Sequence, residues 1–61
     1  MEKNVWYFMI VDGLMKAIEE IKAQFPCFVG VETVEMNWIE LTITARTEDF
    51  GAIEKKLAPY A

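Results

Sequence analysis

From Trp38 to Arg46 apolar and polar residues alternate without a break. Ile39, Leu41, Ile43 and Ala45 point one way, and Trp38, Glu40, Thr42, Thr44 and Arg46 point the other. A period of two is that of a strand with one face on a core. Val5 to Val11 shows a different pattern. Every position is apolar, and Asn4 and Asp12-Gly13 bound the run. It predicts a strand with both faces covered. Between these two stretches Leu14, Ala17, Ile18, Ile21 and Phe25 recur at helical spacing, with Lys16, Glu19, Glu20 and Lys22 on the other side. That predicts a helix capped by Asp12 and ended near Gln24 by Pro26.

Phe28 to Met36 predicts the second strand, with a mixed pattern. Phe28, Gly30, Glu32, Val34 and Met36 share one face, and Val29, Val31, Thr33 and Glu35 share the other. Neither face is clean, so the expectation is a bulge near Glu32 or partial burial of both faces. Met36-Asn37 is the expected two-residue hairpin turn, because Asn tolerates positive φ. With Val34 opposite Ile39, Thr33 faces Glu40 and Val31 faces Thr42, and Glu32 and Glu40 fall on opposite faces. After Arg46, Thr47 reads as the cap of a last helix. Glu48 and Asp49 lie in its first turn and Lys55-Lys56 in its last, as the helix dipole favours. Phe50, Ile53 and Leu57 form its buried stripe, extended by Tyr60, and Pro59 ends it.

The order β-α-β-β-α predicts one small α+β domain over residues 1–61. It is a two-layer sandwich, ferredoxin-like but lacking the last strand. The three-stranded sheet runs in the order first, third, second, with both helices on one face. The first strand is then an exposed edge, and a long apolar edge needs a partner.

Composition sharpens that need. A chain of 61 residues buries only about 60% of its unfolded surface, yet 54% of the residues are hydrophobic. Another chain is expected to cover part of that surface. Cys27 is the only cysteine, so no disulfide forms within the chain, and without His a tetrahedral zinc set cannot be completed. Ten acidic against six basic residues give a net charge of −4, which argues against nucleic-acid and anionic-membrane partners. The longest apolar run is far below the ~20 residues of a membrane span. The expectation is a soluble, cytoplasmic protein with Cys27 reduced.

Gln24-Phe25-Pro26, the stretch from Trp38 to Phe50 and the closing Ile53-Glu54-Lys55-Lys56-Leu57 resemble the YbeD-like family. These are small ferredoxin-fold proteins similar to ACT regulatory domains. The likeness covers the second half of the chain, which departs from the pattern in a shorter hairpin loop and in lacking the final strand. The resemblance implies a ferredoxin-like fold and, by way of the ACT domains, a small ligand held between two subunits. A copper-chaperone reading fails, because no cysteine pair stands near Asp12-Gly13.

Candidate chemistry is sparse. Histidine and serine are absent, which removes the commonest general base and hydroxyl nucleophile. Cys27 follows Pro26 with no cationic neighbour in sequence to lower its pKa, so it reads as a structural thiol. Glu19-Glu20 point about 100° apart on a helix and do not converge on a metal. Asp12-Gly13 is a poor match to a phosphate-binding turn. No catalytic, metal or cofactor site is expected. The informative surface is the side of the sheet away from the helices, with the first strand beside it. Trp6, Tyr7, Phe8, Val31, Trp38, Thr42 and Thr44 are the expected partner-contact residues, because aromatic residues favour interfaces. The sequence thus predicts a non-enzymatic interaction or regulatory module acting as a homodimer. A phage-type inhibitor of a host enzyme, docking on a heterologous protein, and an ACT-like ligand sensor are the alternatives.

Overall fold

The computed structural model describes residues 1–61. β1 (Glu2–Met9), α1 (Leu14–Gln24), β2 (Cys27–Glu35), β3 (Trp38–Ala45) and α2 (Phe50–Leu57) follow in that order, with 3₁₀ turns at Thr47–Asp49 and Ala58–Tyr60 on either side of α2. The sheet is antiparallel throughout and ordered β1-β3-β2. The ferredoxin-like α+β sandwich expected from the hydrophobic pattern is therefore the fold.

β3 carries the core. Ile39, Leu41, Ile43 and Ala45 pack with Leu14, Ile18 and Ile21 of α1, with Phe50, Ile53 and Leu57 of α2, and with Phe8 of β1. One cluster takes residues from both helices and from alternate positions of β3, so both helices lie on the same face. Full burial of a Leu or Ile side chain contributes about 1.5–3 kcal/mol. The four inward residues of β3 thus set both its place and its register.

β1 runs from Glu2 to Met9 rather than from Val5 to Val11. Its length follows its partner: Glu2 pairs with Ala45 and Met9 with Trp38, the two ends of β3. The Ile10 N–H still donates to the Asn37 carbonyl at 2.7 Å, and Val11 then leaves the sheet. Nor does the apolar run have both faces covered within the chain. Trp6 and Phe8 turn toward the helices; Val5, Tyr7 and Met9 turn away and are exposed.

Two local expectations are corrected. α1 begins after Gly13, not after an Asp12 cap. Gly13 has φ 89°, and no side-chain cap bond forms. The tight turn off β1 needs positive φ, which only glycine adopts cheaply, so Asp12 lies one residue too early. The ring of Tyr60 packs over this glycine, and a Cβ there would lie 3.1 Å from the Tyr60 hydroxyl. At α2, Thr47 makes no capping bond. Instead the Arg46 guanidinium donates to both carboxylate oxygens of Asp49, at 2.9 and 3.4 Å, across the 3₁₀ turn. Pro59 ends α2 as expected: the last α-helical bond runs from the Ala58 N–H to the Glu54 carbonyl, Pro59 has no N–H to continue it, and the closing 3₁₀ turn brings Tyr60 back onto the core.

The β2–β3 register differs by one residue from the expected one. Thr33 pairs with Ile39, Glu32 with Glu40 and Val31 with Leu41, and the pairing shifts between Thr33 and Glu35. The irregularity expected near Glu32 is thus at Val34, closer to the turn. Met36 and Asn37 do form the turn, but without positive φ at Asn37. Turns of that kind splay the flanking strands, and the extra residue in β2 adds the local twist that rejoins them.

Candidate functional site

The sheet face away from the helices has no layer over it. Pairing across the three strands orders its side chains into rows. Lys3, Thr44 and Phe28 form one, and Val5, Thr42 and Gly30 the next. Tyr7, Glu40 and Glu32 follow, and Met9 and Trp38 close the face near the bulge. Phe28 is 74% exposed and Tyr7 59%, and Val5, Met9 and Trp38 are each more than 40% exposed. These apolar side chains surround a polar centre.

That centre is acidic. The Tyr7 hydroxyl donates to Glu40 Oε2 at 2.8 Å. This bond, then the negative charge of Glu40, then slight burial, push the Tyr7 phenol above its ordinary value. Glu32 stands directly opposite Glu40 on the other side, where like charges are destabilising. The expectation that these two glutamates lie on opposite faces is corrected by the one-residue change of register.

The seven expected contact residues divide between the two faces. Tyr7, Trp38, Thr42 and Thr44 share the open face. Trp6 and Phe8 pair with Leu41 and Ile39 and so turn toward the helices. Phe8 is in the core at 3% exposure, and the half-buried Trp6 has its ring centroid 6.2 Å from that of Phe50. Val31 pairs with Leu41 and also sits on the helix side, at the outer strand where the helices no longer cover it. The reason is parity: a one-residue change of register exchanges the faces of a whole strand. The same exchange brings Phe28 to the open face, and sequence reasoning had placed it with Val34 and Met36. Placing the bulge after Thr33 rather than at Glu32 would have found it.

Cys27 opens β2 and is half-buried, its Sγ 3.9 Å from the Ile21 carbonyl oxygen. Burial, with some help from the charge of Asp49 and against that of Lys22, pushes its thiol upward, away from the thiolate that nucleophilic chemistry needs. No group of three or more His, Cys, Asp or Glu side chains comes together, and no helix is long and apolar enough to cross a membrane.

Two recesses border β1. The smaller, about 240 Å³, lies on the helix side between Trp6, Phe8, Glu54, Leu57 and Ala58. The larger, about 430 Å³, is formed by Tyr7, Met9, Val11, Trp38 and Tyr60 at the end of the sheet. It has the size of a small-molecule site, and its lining is mostly apolar. The arrangement presents exposed aromatic and aliphatic side chains beside a strand with one free edge. Comparison with known protein families, with characterised proteins and with solved structures found no match for this chain.

Proposed function

We propose that this chain is a non-enzymatic interaction or regulatory module that works as a homodimer. The observation that carries the reading is β1, an edge strand with no partner on its outer side, whose Val5, Tyr7 and Met9 are exposed on a sheet face with no covering layer. Exposed apolar groups gathered on one surface mark contact with another chain. The candidate chemistry supports contact rather than catalysis, since His and Ser are absent and the one thiol is held toward its neutral form. A second copy is the simplest partner, because it is present wherever the first is.

Sedimentation equilibrium of the purified chain tests this. The expected result is twice the 7.1 kDa mass of one chain, with dissociation on dilution. A monomer at every concentration would overturn the homodimer. Capture of one stoichiometric partner by that monomer would move the reading to a heterologous target.

A further inference from the structure

We infer that two copies join through β1, antiparallel about a two-fold axis at Trp6, into one continuous sheet of three strands from each copy. This rests on the homodimer reading above and deepens it by naming the surface.

The backbone of β1 has a free side. The Ile10 N–H donates to the Asn37 carbonyl, and those two residues continue the register in which Phe8 pairs with Ile39 and Trp6 with Leu41. In an antiparallel ladder, hydrogen-bonded pairs alternate with non-bonded ones. Phe8, Trp6, Asn4 and Glu2 therefore turn their N–H and C=O groups toward β3. Lys3, Val5, Tyr7 and Met9 turn theirs outward, where no strand lies.

A second β1 fits that row. Symmetry about Trp6 pairs Lys3 with Met9 and Val5 with Tyr7, each twice. That makes four pairs, each exchanging two N–H···O bonds. All four outward-facing residues are used, whereas an axis at Val5 would leave Met9 out. Val5 against Tyr7 is an aliphatic–aromatic cross-strand pair of a favoured kind. The half-buried Trp6 rings of the two copies meet on the helix side, at the recess beside Glu54 and Ala58.

The two competing contacts carry obstacles. Stacking open faces would bury Glu32 and Glu40, paired side by side at the centre, with Lys3 in the end row and the Arg46 guanidinium already held by Asp49. Burying unpaired carboxylates is costly. Pairing through β1 leaves them in water. The outer edge of β2 is broken by the bulge at Val34 and carries Glu32 and Glu35, the devices that keep strand edges apart.

Proline distinguishes the contacts. Val5→Pro removes only an outward N–H, so the β1–β3 ladder keeps its bonds. The expected outcome is a monomer with native circular dichroism, while Trp38→Asp, altered on the open face, stays dimeric by sedimentation. If Val5→Pro fails to fold, hydrogen exchange on the wild type decides instead. In the dimer the Val5 and Tyr7 amides should exchange on the order of 100-fold slower than unpaired edge amides, with the ladder-bonded Trp6 and Phe8 as internal standards. Fast exchange at Val5 and Tyr7 in a dimeric sample overturns the β1 contact and leaves the homodimer standing. So does a dimer that Trp38→Asp dissolves and Val5→Pro leaves intact. A monomeric wild type overturns both.

Discussion

Gly13→Ala should destabilise the fold by about 1 kcal/mol, and the structure gives the terms. Gly13 has φ 89°, and holding an L residue in that region costs about 1–2 kcal/mol. The new Cβ would also lie 3.1 Å from the Tyr60 hydroxyl, closer than ordinary van der Waals contact, and the ring must give by a few tenths of an ångström. Against these, alanine restricts the unfolded chain, which returns about 0.4–1 kcal/mol. A domain of this length has roughly 3–9 kcal/mol of total stability, so the net loss is a sizeable share. It corresponds to a melting point lower by about 4–8 °C. Urea titration followed by the fluorescence of Trp6 and Trp38 measures it. Every variant is compared at one protein concentration, because association raises apparent stability. Tyr60→Phe completes a cycle. It removes the 3.1 Å contact and leaves the ring carbon at 3.5 Å, so Gly13→Ala should cost less in that background by the steric part alone. A Gly13→Ala protein as stable as wild type would refute the account of the turn.

Two further outcomes are expected. Leu41 is fully buried at the centre of β3, so Leu41→Ala should cost about 2–5 kcal/mol and leave little folded protein; an unchanged urea midpoint would contradict the placement of the core. In a Tyr60→Phe background the Tyr7 phenol should titrate above its ordinary value, read by its ultraviolet difference spectrum, and Glu40→Gln should lower that midpoint by removing the charge beside it. The sign for stability follows from the direction. The folded value is raised, so the contribution is fully present below the ordinary tyrosine range and lost as pH rises through the raised value; a midpoint that ignores Glu40→Gln would sink this assignment.

The layout of the fold was legible because β3 and the two helices have clean periods. Ile39, Leu41, Ile43 and Ala45 at spacing two, and Leu14, Ala17, Ile18 and Ile21 at helical spacing, leave little choice of face, and all eight are buried. The candidate surface was half legible. Tyr7, Trp38, Thr42 and Thr44 follow directly from the alternation of their strands. Trp6, Phe8, Val31 and Phe28 do not, for two reasons. The run from Val5 to Val11 is apolar at every position, so composition alone cannot say which alternate set meets the core. The face of β2 depends on where one extra residue is inserted, and hydrophobicity is too even along 28–34 to place it. Both caps failed as well. Asp12 and Thr47 have cap-forming side chains, but the backbone turned instead at Gly13, under the ring of Tyr60 far along the chain, and at the Arg46–Asp49 clamp, a pair three residues apart.

The central position of β3 bears on how the chain leaves the ribosome. β1 is made first, yet the strand it must pair with is complete only at Ala45, 36 residues after Met9. At about 5–20 residues per second, that is a wait of roughly 2–7 s. α1 and the β2–β3 hairpin need only local contacts and can form meanwhile, whereas closing β1 onto β3 joins residues 29 to 43 positions apart, the slow non-local step. The first strand made is thus the last to find its place. Until that step is complete β1 has two open edges, and a second chain's β1 can occupy the one that β3 needs.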